Sequence, residues 1–349
     1  MLGTAFPAGR LLLVEQPGPW GRAGLLDSRF DRSVAHRLIA RLDAAGVRVL
    51  AIRRPGRSAV SRRRRWGLVD CRPARQSMHW GTFDEDADLL GLDPEGTAQL
   101  PSLAPDGVTP LPAPDAPRVN GAPGLEAAGV PGAGVPGGGV PGGGVPGNGV
   151  PGGGVPGGGV PGGGVPGGGV PGDGAPVFLV FAHGTHDVCC AMRGRPVAAA
   201  LTVARPGQVW ECSHVGGDRF AANVLVLPAG VLYGRIPESA APLLADAADG
   251  GRVLAAHLRG RVGFPPDQQA ALAQVHRELP GLSVHQMRPL GASRAEPGRS
   301  VVRVLAGDTV VEVSVRVEQS QRECLTCQAS QPSSAAVYLP ESIRHAPGA

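Results

Sequence analysis

The chain of 349 residues contains no lysine, so arginine carries all of its positive charge. The simplest source of that bias is a GC-rich coding sequence, not a chemical demand for guanidinium. A large excess of either charge is also missing. The 33 basic residues face 29 acidic ones and leave a formal +4, too mild over this length to point to nucleic acid. Long apolar runs are lacking as well: no stretch approaches the ~20 residues of a membrane-spanning helix. The opening, Met1 to Arg10, has neither the charged start nor the apolar core of a secretory signal. These absences set the expectation of a cytoplasmic protein without a membrane partner. In that compartment cysteines serve as ligands or redox groups more often than as structural disulfides.

Glycine and proline are abundant, at 55 and 36 residues, but they are concentrated. From about 93 the pattern dissolves into Pro, Ala, Asp and Gly, and between Val130 and Gly174 the unit Val-Pro-Gly-X-Gly occurs nine times without a break. Proline presets φ at the second turn position and glycine supplies positive φ at the third, so each unit is a candidate type II turn. With no side chains for a core, the segment is expected to stay disordered. It resembles the elastin pentapeptide repeat, which implies an elastic spacer; neutral expansion in a loop that tolerates length explains it as well.

The flanks read as α/β sequence. Strands are predicted over 10–15, 47–52 and 66–71, with a helix over 32–45 capped by Asp31 and stopped by Gly46. The basic run Arg53, Arg54, Arg57 and Arg62 to Arg65 reads as a solvated hairpin, with a docking patch for a polyanion as the alternative. Order returns at Pro176, with strands over 177–182, 208–213, 222–227 and 231–236 and helices over 196–204, 238–248 and 265–279. A hairpin over 300–306 and 309–318 turns at Gly307-Asp308. The domains follow: 1–92, a disordered linker over 93–175, 176–330, and a C-terminal tail over 331–349.

Chemistry concentrates in two short segments, Phe181 to Pro196 and Glu211 to Pro228. They hold three of the six cysteines and three of the nine histidines. His183, His186, Cys189 and Cys190 leave one strand; Cys212 and His214 end another, followed by Gly216-Gly217. Asp187 is placed to cap a short turn and lower the pKa of the vicinal thiols. Soft ligands delivered from strand ends point to a metal or thiol redox site, with buried structural thiols as the alternative.

HisGlyThrHisAspValCysCys at 183–190, ArgGlyArgPro at 193–196 and CysSerHisValGlyGlyAspArgPheAlaAlaAsn at 212–223 resemble the sucrase/ferredoxin-like family. TyrGlyArg at 233–235 and ValGluGlnProGlyProTrpGly at 14–21 fit it too. The resemblance implies thioredoxin-like ferredoxin layers and a 2Fe–2S cluster on two cysteines and two histidines. Carried over, Cys190 matches the second cysteine and His214 the first histidine. Phe181 stands at the first cysteine and Asp218 at the second histidine. Cys212 and Asp218 are then the further ligand candidates, with Cys189, His183 and His186 as other stand-ins and the Arg193–Arg195 turn shaping the loop.

Three function classes stay open. One is an electron-transfer protein with a variant 2Fe–2S centre and a redox partner protein. Another is a cluster-free member acting by binding or by thiol chemistry through Cys189/Cys190 or Cys324/Cys327, a structural zinc site included. A sucrose hydrolase is the third. It would draw on Asp187, Glu211 and Asp218, which a helix cap and loop acids explain more simply.

Overall fold

Two β-α-β units, one from each side of the glycine-rich stretch, build the core. The computed structural model describes residues 1–56, 61–73, 75–93, 174–326 and 329–346, which fall in one compact unit. Nearly all of the expected linker over 93–175, including its repeats, lies outside the described residues, as do Arg57 and Cys327.

In the first unit, β1 (Arg10–Glu15) is followed by α1 (Arg32–Ala44) and β2 (Val47–Arg53). The Asp31 carboxylate accepts the Val34 amide at 2.9 Å and starts α1; Gly46, with φ 70°, lets the chain turn back into β2. β3 (Arg64–Asp70) and β4 (Ser77–Phe83) complete this half. The second unit repeats the plan with β5 (Val177–Phe181), α2 (Val188–Ala204), β6 (Val209–Cys212), β7 (Val224–Leu227) and β8 (Val231–Tyr233). In each half the first two strands are parallel, and the third is antiparallel to the first.

Both halves enter one nine-stranded sheet of order β4-β3-β1-β2-β6-β5-β7-β8-β9, where β9 is Leu258–Arg261. β2 and β6 are antiparallel neighbours paired only at their last residues, Ile52 with Cys212 and Arg53 with Glu211. The carboxyl ends of the parallel strands from both halves therefore meet mid-sheet. Strand alternation sorts the core. Leu11, Leu13, Ile52, Phe181 and Cys212 fill one face; Leu12, Val14 and Ala51 pack under α1, and Phe178, Val180 and Val209 under α2 and α3 (Ala241–Asp249).

Helix α2 starts eight residues before the predicted position and runs through Pro196. Asp187 caps it by accepting the Cys189 amide at 2.8 Å, and Cys190, Gly194, Val197, Ala198 and Leu201 make a continuous buried stripe. Packing of that stripe on the sheet overrides the local cost of an interior proline.

The hairpin at Gly307-Asp308 belongs to a four-stranded antiparallel sheet of β10 (Met287–Glu296), β11 (Arg299–Ala306), β12 (Thr309–Gln319) and β13 (Ala336–His345). The segment read as a C-terminal tail thus carries an edge strand. β13 has no fully buried residue: Tyr338 and Ile343 pack half-buried against a core that β11 and β12 fill with Val302, Val304, Val311, Val313 and Val315. Helix α4 (Pro266–Glu278) packs its Ala270, Ala271 and Val275 against them.

The basic run is not a uniformly solvated hairpin. Arg54 stacks over Trp210 at 3.7 Å and donates to the Gly207 and Val209 carbonyls. Arg53 pairs with Glu211 at 2.7 Å, and Arg64 with Asp86 at 2.5 Å. No helix among the described residues is long and apolar enough to cross a membrane.

Two measurements check this packing. A Cβ at Gly194 would meet the Phe181 carbonyl at 2.3 Å, so Gly194→Ala should cost about 1–3 kcal/mol in urea unfolding despite its better helix propensity. In α4, burial and then Arg261 lower the His276 pKa from 6.5 to about 4. The unfolded chain takes up that proton first. Stability is therefore full above pH 6.5 and falls by on the order of 3 kcal/mol as the pH drops to 4. His276→Leu should flatten that part of the stability–pH curve.

Candidate functional site

The loops after β1, β5 and β6 converge where the two halves meet. Ser213 continues the line of β6 beside β2: its amide donates to Ala51 O at 2.8 Å, and its hydroxyl accepts the Ala51 amide at 3.1 Å. This fixes the next residue, His214. Gly216 and Gly217, at φ 100° and 88°, turn the chain back so that Asp218 faces His214.

His183 is a structural group. Its Nε2 donates to Gly21 O at 2.8 Å, and its Nδ1 accepts the His214 amide at 3.3 Å. Both ring nitrogens are used, and Trp20 meets the ring edge-on with centroids 5.7 Å apart. Burial lowers its pKa first, and His186, His214 and Arg53 add to that against the Gly21 hydrogen bond. His186 Nδ1 reaches Arg22 O at 3.3 Å. Its ring stacks on His214 with centroids 3.8 Å apart and 17° between planes.

Asp218 is the hub. Its Oδ1 lies 2.7 Å from His214 Nδ1 and accepts the Cys190 thiol at 3.3 Å. The two atoms touch, but that nitrogen is buried and makes no aligned hydrogen bond. Burial works against the carboxylate; the His214 contact, then Cys190 and His186, outweigh it and hold its pKa below the usual range.

The thiols are the opposite case. Burial, then the charge and hydrogen bond of Asp218, push the Cys190 pKa well up against the pull of Arg259. Burial also raises Cys212, with Cys190 and Glu211 adding. Cys190 is thus a protonated donor, and Cys189, beside it in the first turn of α2, is held in a disulfide. The expected vicinal dithiol is absent, because the helix begins at Val188 and assigns the two cysteines different surroundings. Cys324 is exposed and free.

Of the residues read from the sequence, Cys190, His214 and Asp218 come together, and His186 joins them. Cys212 does not share their side of the sheet. It lies in the apolar cluster with Phe181 and Trp210, on the face away from α2. The carboxylates considered for hydrolysis are each engaged: Asp187 caps α2, Glu211 pairs with Arg53 and Asp218 binds its cluster. Sequence reasoning missed the carbonyls of Gly21 and Arg22, which no side-chain signal reveals. It also missed Arg259, an arginine in a short strand. Arg259 is buried and donates to Thr4 O at 2.6 Å, Asn223 Oδ1 at 2.8 Å and Gly216 O at 3.3 Å, clamping the loop that carries His214 and Asp218.

Native-state labelling with a thiol reagent checks the electrostatics. Among the free cysteines, Cys324 should react at once, and Cys71, Cys190 and Cys212 only on unfolding, since the thiolate is the reactive form. Fast labelling of Cys190 in the folded protein would contradict the protonated, Asp218-bound thiol.

Comparison with curated proteins gave no match, and neither did comparison with solved structures. Residues 126–260 match the sucrase/ferredoxin-like family. The match takes in His183, His186, Cys190, His214 and Asp218 and stops short of the opening segment at 14–21. It supports the sucrase/ferredoxin-like family for the part of the chain that carries the site.

Proposed function

We propose that this chain is a cluster-free member of the sucrase/ferredoxin-like family, and that its histidine cluster with the adjoining cleft forms a ligand-binding site. The repeated β-α-β-β-β order of the two halves supports thioredoxin-like layers. Ligands of such open sheets sit outside the carboxyl ends of the strands, which here meet at the centre.

The carrying observation is what occupies the four places the family resemblance assigns to cluster ligands. Phe181 has no donor atom and is packed in the apolar core. Asp218 puts a hard carboxylate oxygen where the family places an imidazole, a poor match for a sulfide-bridged iron. That leaves Cys190 and His214 as the two positions that keep a cluster ligand's identity. Cys212, the nearest substitute, faces the other side of the sheet. The residues present do not fit a 2Fe–2S cluster, and no electron-transfer step follows from them. A redox partner protein belongs only to that cluster reading.

The thiol alternative through Cys190 loses support because that thiol is buried and bonded to Asp218. Binding is what the surroundings suit. A cleft of about 680 Å³ opens beside His183, lined by Trp20, Arg53, Thr185, Met192 and Arg195, within the size range of small-molecule sites.

The deciding measurement is iron and acid-labile sulfide on anaerobically expressed protein, with its visible spectrum. A colourless, sulfide-free, cooperatively folded protein is expected. Matched iron and sulfide with absorbance between roughly 400 and 600 nm, as such clusters give, would sink the proposal.

A further inference from the structure

We infer that His186, His214 and Asp218 form a three-residue site for one divalent transition-metal ion of the Zn²⁺ or Co²⁺ type. This deepens the cluster-free reading and rests on it. One ligand atom from each residue lies within 4.8 Å of the other two. Around a tetrahedral ion with bonds of ~2.0–2.2 Å, neighbouring ligand atoms stand ~3.4 Å apart, so the widest pair has to close by at most roughly 1.4 Å and the 2.7 Å His214–Asp218 pair has to open slightly.

Three further observations point to an ion. His214 Nδ1 is buried and makes no hydrogen bond, yet it faces Asp218 Oδ1 at 2.7 Å. A lone pair and a carboxylate oxygen held side by side are what a shared cation satisfies. The outer contacts are of the kind that orient metal ligands. With its Nδ1 on Arg22 O, His186 has Nε2 left for the ion, and the Cys190 thiol donates to the same Asp218 Oδ1 that faces His214, holding that oxygen in place. His183 is excluded as a ligand because both of its nitrogens are bonded.

The donor set also sorts the metal. Two imidazoles and one carboxylate suit late first-row divalent ions better than Ca²⁺ or Mg²⁺, which take all-oxygen sites. Three protein ligands leave a coordination position for water. The His186 and His214 rings are stacked with centroids 3.8 Å apart, so seating an ion between their nitrogens moves one ring against the other. The 3.3 Å bond from His186 to Arg22 is long enough to adjust with this movement while keeping Nδ1 occupied.

The test is a Co²⁺ titration of the purified full chain after chelator treatment, followed by visible absorbance and competed with Zn²⁺. Saturation at one equivalent is expected, with reversal by Zn²⁺ and a Zn²⁺-dependent rise in Tm. His186→Ala, on the cluster's outer side, should keep the fold and lower affinity at least ~100-fold, as should His214→Ala and Asp218→Asn. His36→Ala, at an exposed histidine of α1, should bind as the wild type does. No saturable Co²⁺ binding, or binding that survives His186→Ala and Asp218→Asn in folded protein, would overturn the inference. Acid-labile sulfide in the protein as isolated reports separately on the cluster-free reading.

Discussion

The rest of the structure depends on the two-residue antiparallel pairing of β2 with β6. Each half is a β-α-β unit whose parallel strands end at the same level, and ordinary side-by-side pairing of antiparallel units would put their functional ends on opposite edges. Overlap restricted to Ile52–Cys212 and Arg53–Glu211 slides one half past the other until those ends meet. Each half's loops then lie along the partner's strands. Ser213 bonds to Ala51 of β2, and Arg54 bonds to the carbonyls entering β6. The cleft beside His183 is lined from both halves for the same reason.

Repetition of the plan did not bring repetition of the chemistry. After β6 the chain presents His214 and Asp218; at the end of β2, in the matching place, it presents Arg53 and Arg54. Those guanidiniums are committed to Glu211 and to the face of Trp210, so they brace the junction without acting as loose surface charge. Arg259 does the same from β9. It ties Thr4 and Gly216 together where a flexible Gly-Gly loop would otherwise leave Asp218 poorly placed. A buried guanidinium is costly to desolvate, and its hydrogen bonds to three carbonyl-type oxygens offset that cost.

Much of the fold was legible locally. The Asp31 cap, the Gly46 stop, the Gly307-Asp308 turn and the apolar runs of β1 and β5 are short-range signals, and the elements stand where those signals place them. The failures share a cause. Helix α2 runs through Pro196 because its buried stripe gains more than the local break costs. β13 was read as tail because an edge strand half open to solvent has no apolar alternation to read. β9 hid because two of its four residues are arginines whose hydrogen bonds are met by neutral oxygens elsewhere along the chain.

The site divides in the same way. The sequence by itself determined which ligand types exist and that they cluster in two segments. It also determined that phenylalanine and aspartate stand at two places where the family resemblance expects iron ligands, since identity at a position needs no fold. Only the tertiary structure decided their roles. Strand parity sent Cys212 to the far face of the sheet, and the helix start separated Cys189 from Cys190. The β2–β6 overlap brought Gly21 and Arg22 to the histidines. Those outcomes depend on side-chain direction and long-range pairing, which a linear pattern does not encode until the chain has closed on itself.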